Sequence, residues 1–530
     1  MLPSSAAAVD ALPPSKTRIG SPLLWLTLVA LALRVAFVLL EPSCRLAGDE
    51  FTWTGWAWGA VEGLTSPRVA FSPFRSEMIF YPPLYAYFLA ATRVLLGSLT
   101  AVKLAQALIG ALLVPAVARV ATVAAGRRAG LVAALCAAVY PELIWYSAHF
   151  WCETLFLTLS FWSFERLLAG GLRGPGEPIR ASRFRWWMRA LALCLTLLVV
   201  LGFAWRHSLE AGAGVALLAI VFVGAVALWW LLTRGGVAFD SVAVAGALWG
   251  LATLTRETLL YFAPVVLVWL LWQRRDGPAR AVAFAIPLVL VVAPWTYRNY
   301  VVTHAFVPVA TSGALNLWQG NTKLPREEVY ALSEAVRGPG HVRIAQYRYH
   351  WRMALDAIRE RQPRWLFDKL ATEMPAFWEA DSLVLIHVAV KHAYGPVQPA
   401  TARAVSAIVV GSYLAVLLLA LLGSLRLRLD RATTLLLGFL AYYNLIHVVT
   451  HGFSRYRLPV MPIVFCVAAV AVVGRSGRPI ERPSLWRWLS VGLLAVALAL
   501  SVWPSLTGPA TAAASGQPNA EPGAPLDIRR

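Results

Sequence analysis

The chain has 530 residues, 59% of them hydrophobic and 14% charged, with a formal net charge of +20. Soluble domains carry about 25% charged residues, so a soluble globular protein is excluded. Repeated apolar runs of about 20 residues mark a polytopic membrane protein instead. The basic excess sits in short loops between those runs, where it orients the spans and does not point to nucleic acid.

Residues 1–20 form a polar, Pro/Ser/Ala-rich lead with Lys16 and Arg18, expected on the cytoplasmic side. The first span is expected at about 21–40. It ends without an A-x-A site, and "EPSC" is a poor lipobox, so it reads as an uncleaved transmembrane helix. The loop that follows, 41–100, then faces outward and contains "GDEFTWTGWAWG".

Further spans are expected at about 101–123, 130–148, 151–169, 188–206, 211–232, 238–255, 256–272, 279–296, 404–424, 432–450, 456–474 and 486–506, about 13 with the first. The inner loops "GRRAG", "GGLRGPGEPIRASRFRWWMR", "TRGG", "QRRDGPAR", "RLRLDR" and "GRSGRPIERPSLWR" are all net basic. They share one side only if "YPPLYAYFLAATRVLLGS" (81–98) lies along the outer surface, as its leading prolines and its aromatics suit. A fourteenth span there is the alternative.

Residues 300–403 form the one long soluble segment, on the outer side. Its "YRYHWRMALDAIRERQPRWLFDKLATEMPAFWEA" predicts two amphipathic helices separated by Pro363. The segment is too short for a large core of its own and is expected to cap the membrane part. C-terminal spans occupy 404–506, and the Pro/Gly/Ala-rich tail 507–530 reads as disordered. No internal repeat is visible.

Cys136, Cys194 and Cys466 lie in apolar runs, Cys152 at a run edge and Cys44 in a loop. Without a CxxC or zinc-like spacing they indicate neither a disulfide framework nor a structural metal.

Charges at the outer ends of spans are the informative ones. Arg256 in "TLTRETLL", Arg298 in "PWTYRNY", Arg455 in "FSRYRLP" and Arg206 in "AWRHSLE" all map there, and Arg34 sits in the outer half of the first span. Such cations face a polar cavity or partner, or snorkel to headgroups. The acids Asp49, Glu50 and Glu153 map to the same face. An acidic pair alone is compatible with a solvated turn; acids and arginines from separate parts of the chain on one face suit a site at the membrane–water boundary.

A sugar carried on a polyprenyl phosphate would need this set. A base must take the acceptor hydroxyl's proton as the hydroxyl attacks the anomeric carbon. The departing phosphate gains charge, which placed cations stabilise. A glycoside hydrolase would want two carboxylates flanking the bond, one of them protonated.

"AGDEFTWTGWAWG", "YPPLYAYFLA", "YPELIWYSAHFWCETLF", "GLATLTRETLL", "PWTYRNYVVTHAFVPVATSGALNLWQGN" and "SRYRLPVMPIV", spread over about 20–475, resemble in this order the integral-membrane GT-C glycosyltransferases. The nearest likeness is to ArnT-like and protein-mannosyltransferase-like enzymes that use polyprenyl-phosphate sugars. The resemblance implies an all-α GT-C fold and inverting transfer of a hexose or pentose to a glycolipid, polysaccharide or protein. The site would face the outside of a bacterial inner membrane, in contact with membrane lipids.

The resemblance also implies roles. Asp49 matches the first-loop acid that serves as base or organises a metal, with Glu50 its partner, and Glu153 matches an acid near the acceptor. Arg256, Arg298, Arg455 and Tyr81 fall at the donor phosphate, and Asn321 at a recurrent loop position. A divalent metal, if used, would be held by Asp49 and Glu153. The family often places Glu-Lys or Lys before the proline of the surface helix, whereas Tyr81 and Pro82 stand here, which puts the metal in doubt and shifts phosphate binding onto the arginines. The alternatives are an O-antigen-ligase-like transferase, which the early "GDE" loop speaks against, and a lipid-linked-saccharide transporter, which would show broken helices and two-half symmetry. A purely structural membrane protein is the least specific alternative.

Overall fold

The computed structural model describes residues 21–41, 46, 48–65, 79–172, 240–272, 276–338, 341–390, 393–474 and 484–507. Among them the regular structure is helical, with no strand. The expected spans at 188–206 and 211–232, Arg206, the lead 1–20 and nearly all of the tail 507–530 lie outside the described residues.

In chain order the helices are α1 (Ser21–Leu40), α2 (Asp49–Thr65), α3 (Leu84–Leu96), α4 (Leu99–Ala125), α5 (Arg127–Val139), α6 (Pro141–Ala148) and α7 (Glu153–Gly171). Next come α8 (240–253), a 3₁₀ turn Glu257–Phe262 leading into α9 (Ala263–Leu271), and α10 (Gly277–Thr303). The segment after α10 supplies α11 (Ser312–Gln319), α12 (Arg326–Ala335), α13 (Val342–Glu360) and α14 (Trp365–Trp378). The chain closes with α15 (Pro399–Ser424), α16 (Arg431–Val449), a 3₁₀ turn Ser454–Val460 leading into α17 (Met461–Val473), and α18 (Leu485–Thr507).

Seven of the described helices are long and apolar enough to cross a membrane, and the bent pair α5–α6 makes an eighth if it is one span. The run expected at 151–169 is helical as α7, but it carries Glu153, Glu165 and Arg166, and the 257–271 stretch is a shorter apolar helix. Helix α3, at 13 residues, is short for a bilayer. It ends at Gly97 in the left-handed region (φ 77°), and Ser98 then accepts the Ala101 N–H at 3.1 Å to start α4. This break keeps α3 and α4 from forming one continuous helix.

One core unites α1, α4 to α10 and α15 to α17. A second cluster joins α2 and α3 to α4 through Trp53, Ala57, Tyr85, Leu89 and Val102. Leu315, Trp318, Val329 and Ala354 give α11 to α13 a small cluster of their own.

Several buried cations hold helix ends. Pro141 cannot donate to the Ala137 carbonyl, and α5 and α6 meet at 50°. The fully buried Arg34 fills that gap, donating to the carbonyls of Ala137 and Ala138 at 3.1 Å each. Arg34 therefore does not snorkel. Arg280 caps α7 in the same way through Gly170 and Gly171, at 2.6 and 2.9 Å. Arg457 donates to the carbonyls of Glu379 and Asp381 beyond the end of α14. Each places positive charge where a helix terminus concentrates partial negative charge.

Candidate active site

Gly48, in the left-handed region (φ 63°), turns the chain into α2, whose first two residues are Asp49 and Glu50. Neighbours on a helix point about 100° apart, and these two carboxylates have different surroundings. Asp49 Oδ2 meets Arg455 Nη1 at 2.9 Å. Glu50 turns inward and is buried.

A second pair lies close by: Glu153 Oε1 accepts from Arg256 Nη1 at 2.9 Å. Both guanidinium groups lie over the ring of Tyr456, their centres 4.8 Å (Arg455) and 5.6 Å (Arg256) from its centroid. Arg455 also donates to the Tyr456 hydroxyl at 3.0 Å and lies over Trp151 at 5.1 Å. Behind Tyr456, His447 stacks at 4.4 Å with the rings 7° from parallel. Each arginine is placed by the same local device, a 3₁₀ turn that breaks the chain just before an apolar helix. The pairs differ in access: Asp49 is 29% exposed and Arg455 15%, while Glu153 is only 3% exposed.

Glu50 belongs to a closed cluster behind this surface. It accepts the Phe150 backbone N–H at 3.0 Å and lies 3.4 Å from His149 Nδ1 and 3.9 Å from His387 Nε2. The other ring nitrogen of His149 is 2.7 Å from Glu41, which is also held by Lys103 at 3.0 Å and by the Tyr394 hydroxyl at 2.9 Å. Trp145 stacks on His149 at 3.9 Å. Burial works against the charge of Glu50, but the neighbouring imidazoles of His149 and His387 outweigh it and hold the carboxyl well below its ordinary value. Burial likewise works against the His149 imidazolium, but Glu41 and Glu50 raise it above its ordinary value. For His387 burial wins over Glu50, and its affinity for a proton falls.

The structure thus brings Asp49, Glu153, Arg256 and Arg455 together. Tyr81 stands on the Asp49 side with its ring 5.2 Å from Trp53 and 5.7 Å from Trp56. Arg298 lies elsewhere, over Trp295 at 4.6 Å and donating to Asn299 at 3.0 Å. Asn321 is a buried brace: it donates to the carbonyls of Leu317 and Val449 and accepts from Trp365. Trp53 is buried in the second cluster, and Trp56 and Trp58 are half-buried around it. Sequence reasoning missed Tyr456, His447, Trp151, Glu41 and His149. Tyr456 was nearest to view, being the residue beside Arg455 in "SRYR".

Among the described residues no group of three His, Cys, Asp or Glu side chains could hold a metal ion. Asp49 and Glu153 do not fit as a metal's ligands in this arrangement, because each already carries a guanidinium at hydrogen-bond distance.

No protein family and no curated protein matches the chain by sequence. Among solved structures it is similar to the apo oligosaccharyltransferase of Archaeoglobus fulgidus, at 15% identity and a TM-score of 0.45 over 94% of this chain and 57% of that one. AglB of the same organism, in complex with an inhibitory peptide and a dolichol-phosphate, matches at 15% identity and TM-score 0.44 over 90% and 54%. ArnT from Cupriavidus metallidurans bound to undecaprenyl phosphate matches at 16% identity and TM-score 0.35 over 86% and 78%. The chain spans just over half the length of the archaeal oligosaccharyltransferase.

Proposed function

We propose that this chain is a GT-C-type membrane glycosyltransferase. In this reading it transfers a hexose or pentose from a polyprenyl-phosphate donor to an acceptor hydroxyl, with inversion, at the outer face of the plasma membrane. The observation that carries the reading is the pairing of two carboxylates with two arginines around Tyr456, on segments far apart in the sequence. The ordered motifs that resemble this superfamily support it.

In the proposed reaction Asp49, the more exposed acid, takes the acceptor hydroxyl's proton. The acceptor oxygen bonds to the anomeric carbon from the face opposite the phosphate. The bond between that carbon and the phosphate oxygen breaks, and its electron pair leaves with the oxygen. The phosphodiester monoanion becomes a phosphomonoester that carries the extra negative charge. Arg455 and Arg256 are positioned to stabilise that charge, and a rigid guanidinium fork suits phosphate oxygens. Donor phosphate competing for Arg455 loosens its bond to Asp49 and frees the carboxylate to act as base. Glu153, closed off beside Arg256, orients that guanidinium.

The test is consumption of polyprenyl-phosphate sugars by the purified protein in lipid nanodiscs, offered singly with a panel of lipid and peptide acceptors. Transfer by the native chain and its loss in Asp49→Asn are expected. Native-like turnover by a folded Asp49→Asn protein removes Asp49 as the base. A reporter fused at residue 350 is expected on the outer side, and a cytoplasmic signal inverts the orientation.

A further inference from the structure

We infer that helix α14 (Trp365–Trp378) is seated in the membrane–water interface, with one face against bilayer lipid. The inference goes beyond sugar transfer and does not rest on it.

From Trp365 to Met374, three faces of α14 have three different environments. One is bound to protein. The Lys369 ammonium donates to the carbonyls of Gly320 and Thr450 at 2.6 and 3.1 Å and to Glu373 at 2.9 Å. The close approach is built in: a Cβ on Gly320 would stand 1.5 Å from the Thr450 carbonyl oxygen. In the last turn, past Pro375, Phe377 stacks on His447 at 5.8 Å and Trp378 donates to Asn444 at 2.8 Å, so there protein also covers the arc that is exposed over the first turns. A second face is apolar and exposed: Leu366, Phe367, Leu370 and Met374, with Phe367 at 74%. At 3.6 residues per turn these four fall within about 100° of arc. The third face, about 100° farther round, is polar, with Asp368 and Thr372 exposed.

The partners fix where this helix lies. Lys369, Phe377 and Trp378 meet Thr450, His447 and Asn444 in turn, so α14 descends beside the last turns of the candidate span α16. From Thr450 to Asn444 that descent is about 9 Å along α16, at 1.5 Å per residue. Helix α14 also packs against α18, itself a candidate span with Leu489, Leu493 and Leu500 exposed. The apolar face of α14 is thus continuous with surfaces that spanning helices present to lipid. An exposed Phe beside such surfaces, with Asp and Thr turned the other way, is the pattern of a helix half-immersed at the headgroup level. Lipid is the occupant that the neighbouring spans themselves require.

This seat bears on the candidate site. Glu373 accepts the Gly452 backbone N–H at 2.6 Å, three residues before Arg455. The interfacial helix is therefore tied directly to the segment that carries Arg455.

The experiment places a photo-crosslinking phenylalanine analogue singly at Phe367, Leu370, Asp368 and Thr372 of the full chain. Each protein is irradiated in nanodiscs of phosphatidylethanolamine and phosphatidylglycerol, and adducts are read by mass spectrometry. Lipid adducts at Phe367 and Leu370 several-fold above those at Asp368 and Thr372 are expected. Equal yields at all four positions overturn the inference, as does a dominant crosslink between two copies of the chain. Since Phe367 and Leu370 are exposed and the replacement is aromatic, folding is preserved, and a monodisperse elution profile verifies it.

Discussion

Asp49 and Glu50 are neighbours in the chain, yet they sit in two different kinds of site. Asp49 shares a partly open surface with Arg455, against a second acid–arginine pair and one tyrosine ring. Glu50 is sealed behind it with His149, His387 and Glu41. An ion pair that water can reach is exchangeable, because an incoming phosphate replaces the carboxylate at modest cost. A sealed pair has no such partner to accept, and breaking it strands a buried charge. The cations divide the same way. Arg256 and Arg455 pair with acids from distant segments around Tyr456, whereas Arg34, Arg280 and Arg457 take backbone carbonyls at helix ends, Arg280 with Asp276 and Arg457 with Glu142 as further partners. What sets Arg256 and Arg455 apart is that both lie over one ring, Tyr456, and that among the described residues neither donates to a helix-end carbonyl as the other three do.

The contrast breaks most sharply under substitution of the two acids. Asp49→Asn is expected to lower transfer by about 10²–10⁴-fold, the usual contribution of a general base, with the melting temperature in nanodiscs unchanged. Glu50→Gln is expected to do the reverse. It strips the charge from the acceptor of the Phe150 N–H and from the partner of His149. The cost is about 3–5 kcal/mol, as for a broken buried pair, read as a large fall in melting temperature. Turnover per folded molecule falls far less. A Glu50→Gln protein as stable as the native chain would dissolve the distinction. Next in size, Arg455→Lys keeps a charge but loses the planar fork. About a tenfold rise in the apparent KM for donor is expected, from roughly 1.4 kcal/mol of lost phosphate contact. Arg256→Ala is expected to weaken donor use more than acceptor use. Equal shifts in the two apparent affinities count against its place at the phosphate.

Much of this was legible in the sequence, and the reasons are physical. Hydropathy located α1, α4, α10 and α15 to α18 because a long apolar run has few other solutions in water. The positive-inside argument singled out Arg256 and Arg455 as charges on the wrong side for a loop cation, and both meet acids. The same argument could not sort Arg298 or Arg34, since depth alone does not reveal whether a guanidinium faces a carboxylate, an indole or a carbonyl. Glu50 points away from Asp49 into the closed cluster, a direction that proximity in sequence does not reveal until the helix is phased. The closed cluster draws Glu41, Glu50, His149, His387 and Tyr394 from five places, none of which carries a local motif. It forms only once α1, α2 and the 149–152 turn pack together.

The smallest effect probes the sealed cluster through pH. His149 gains affinity for its proton on folding, relative to its ordinary 6.5. Its contribution to stability is therefore complete below that value and is lost as pH rises through the folded pKa. Glu41 and Glu50 run the other way. Both lie below their ordinary 4.5 in the folded protein, so their contribution is present above that value and is lost as pH falls through the folded pKa. His387, depressed by burial, adds to the acid side: it resists protonation in the folded state, so stability declines as pH drops below 6.5. The groups facing His149 are Glu41, Glu50, Tyr394, Trp145 and, more distantly, Lys103 and His387. Melting temperature measured from about pH 4 to about pH 9 is expected to show a broad maximum with limbs on both sides. His149→Gln removes the alkaline limb and shrinks the acid limb, because Glu41 and Glu50 lose the imidazolium that lowers them while His387 still resists protonation. Alkaline decline of equal size in that variant assigns the limb to other groups and leaves the imidazolium with no part in holding α1, α2 and the 149–152 turn together.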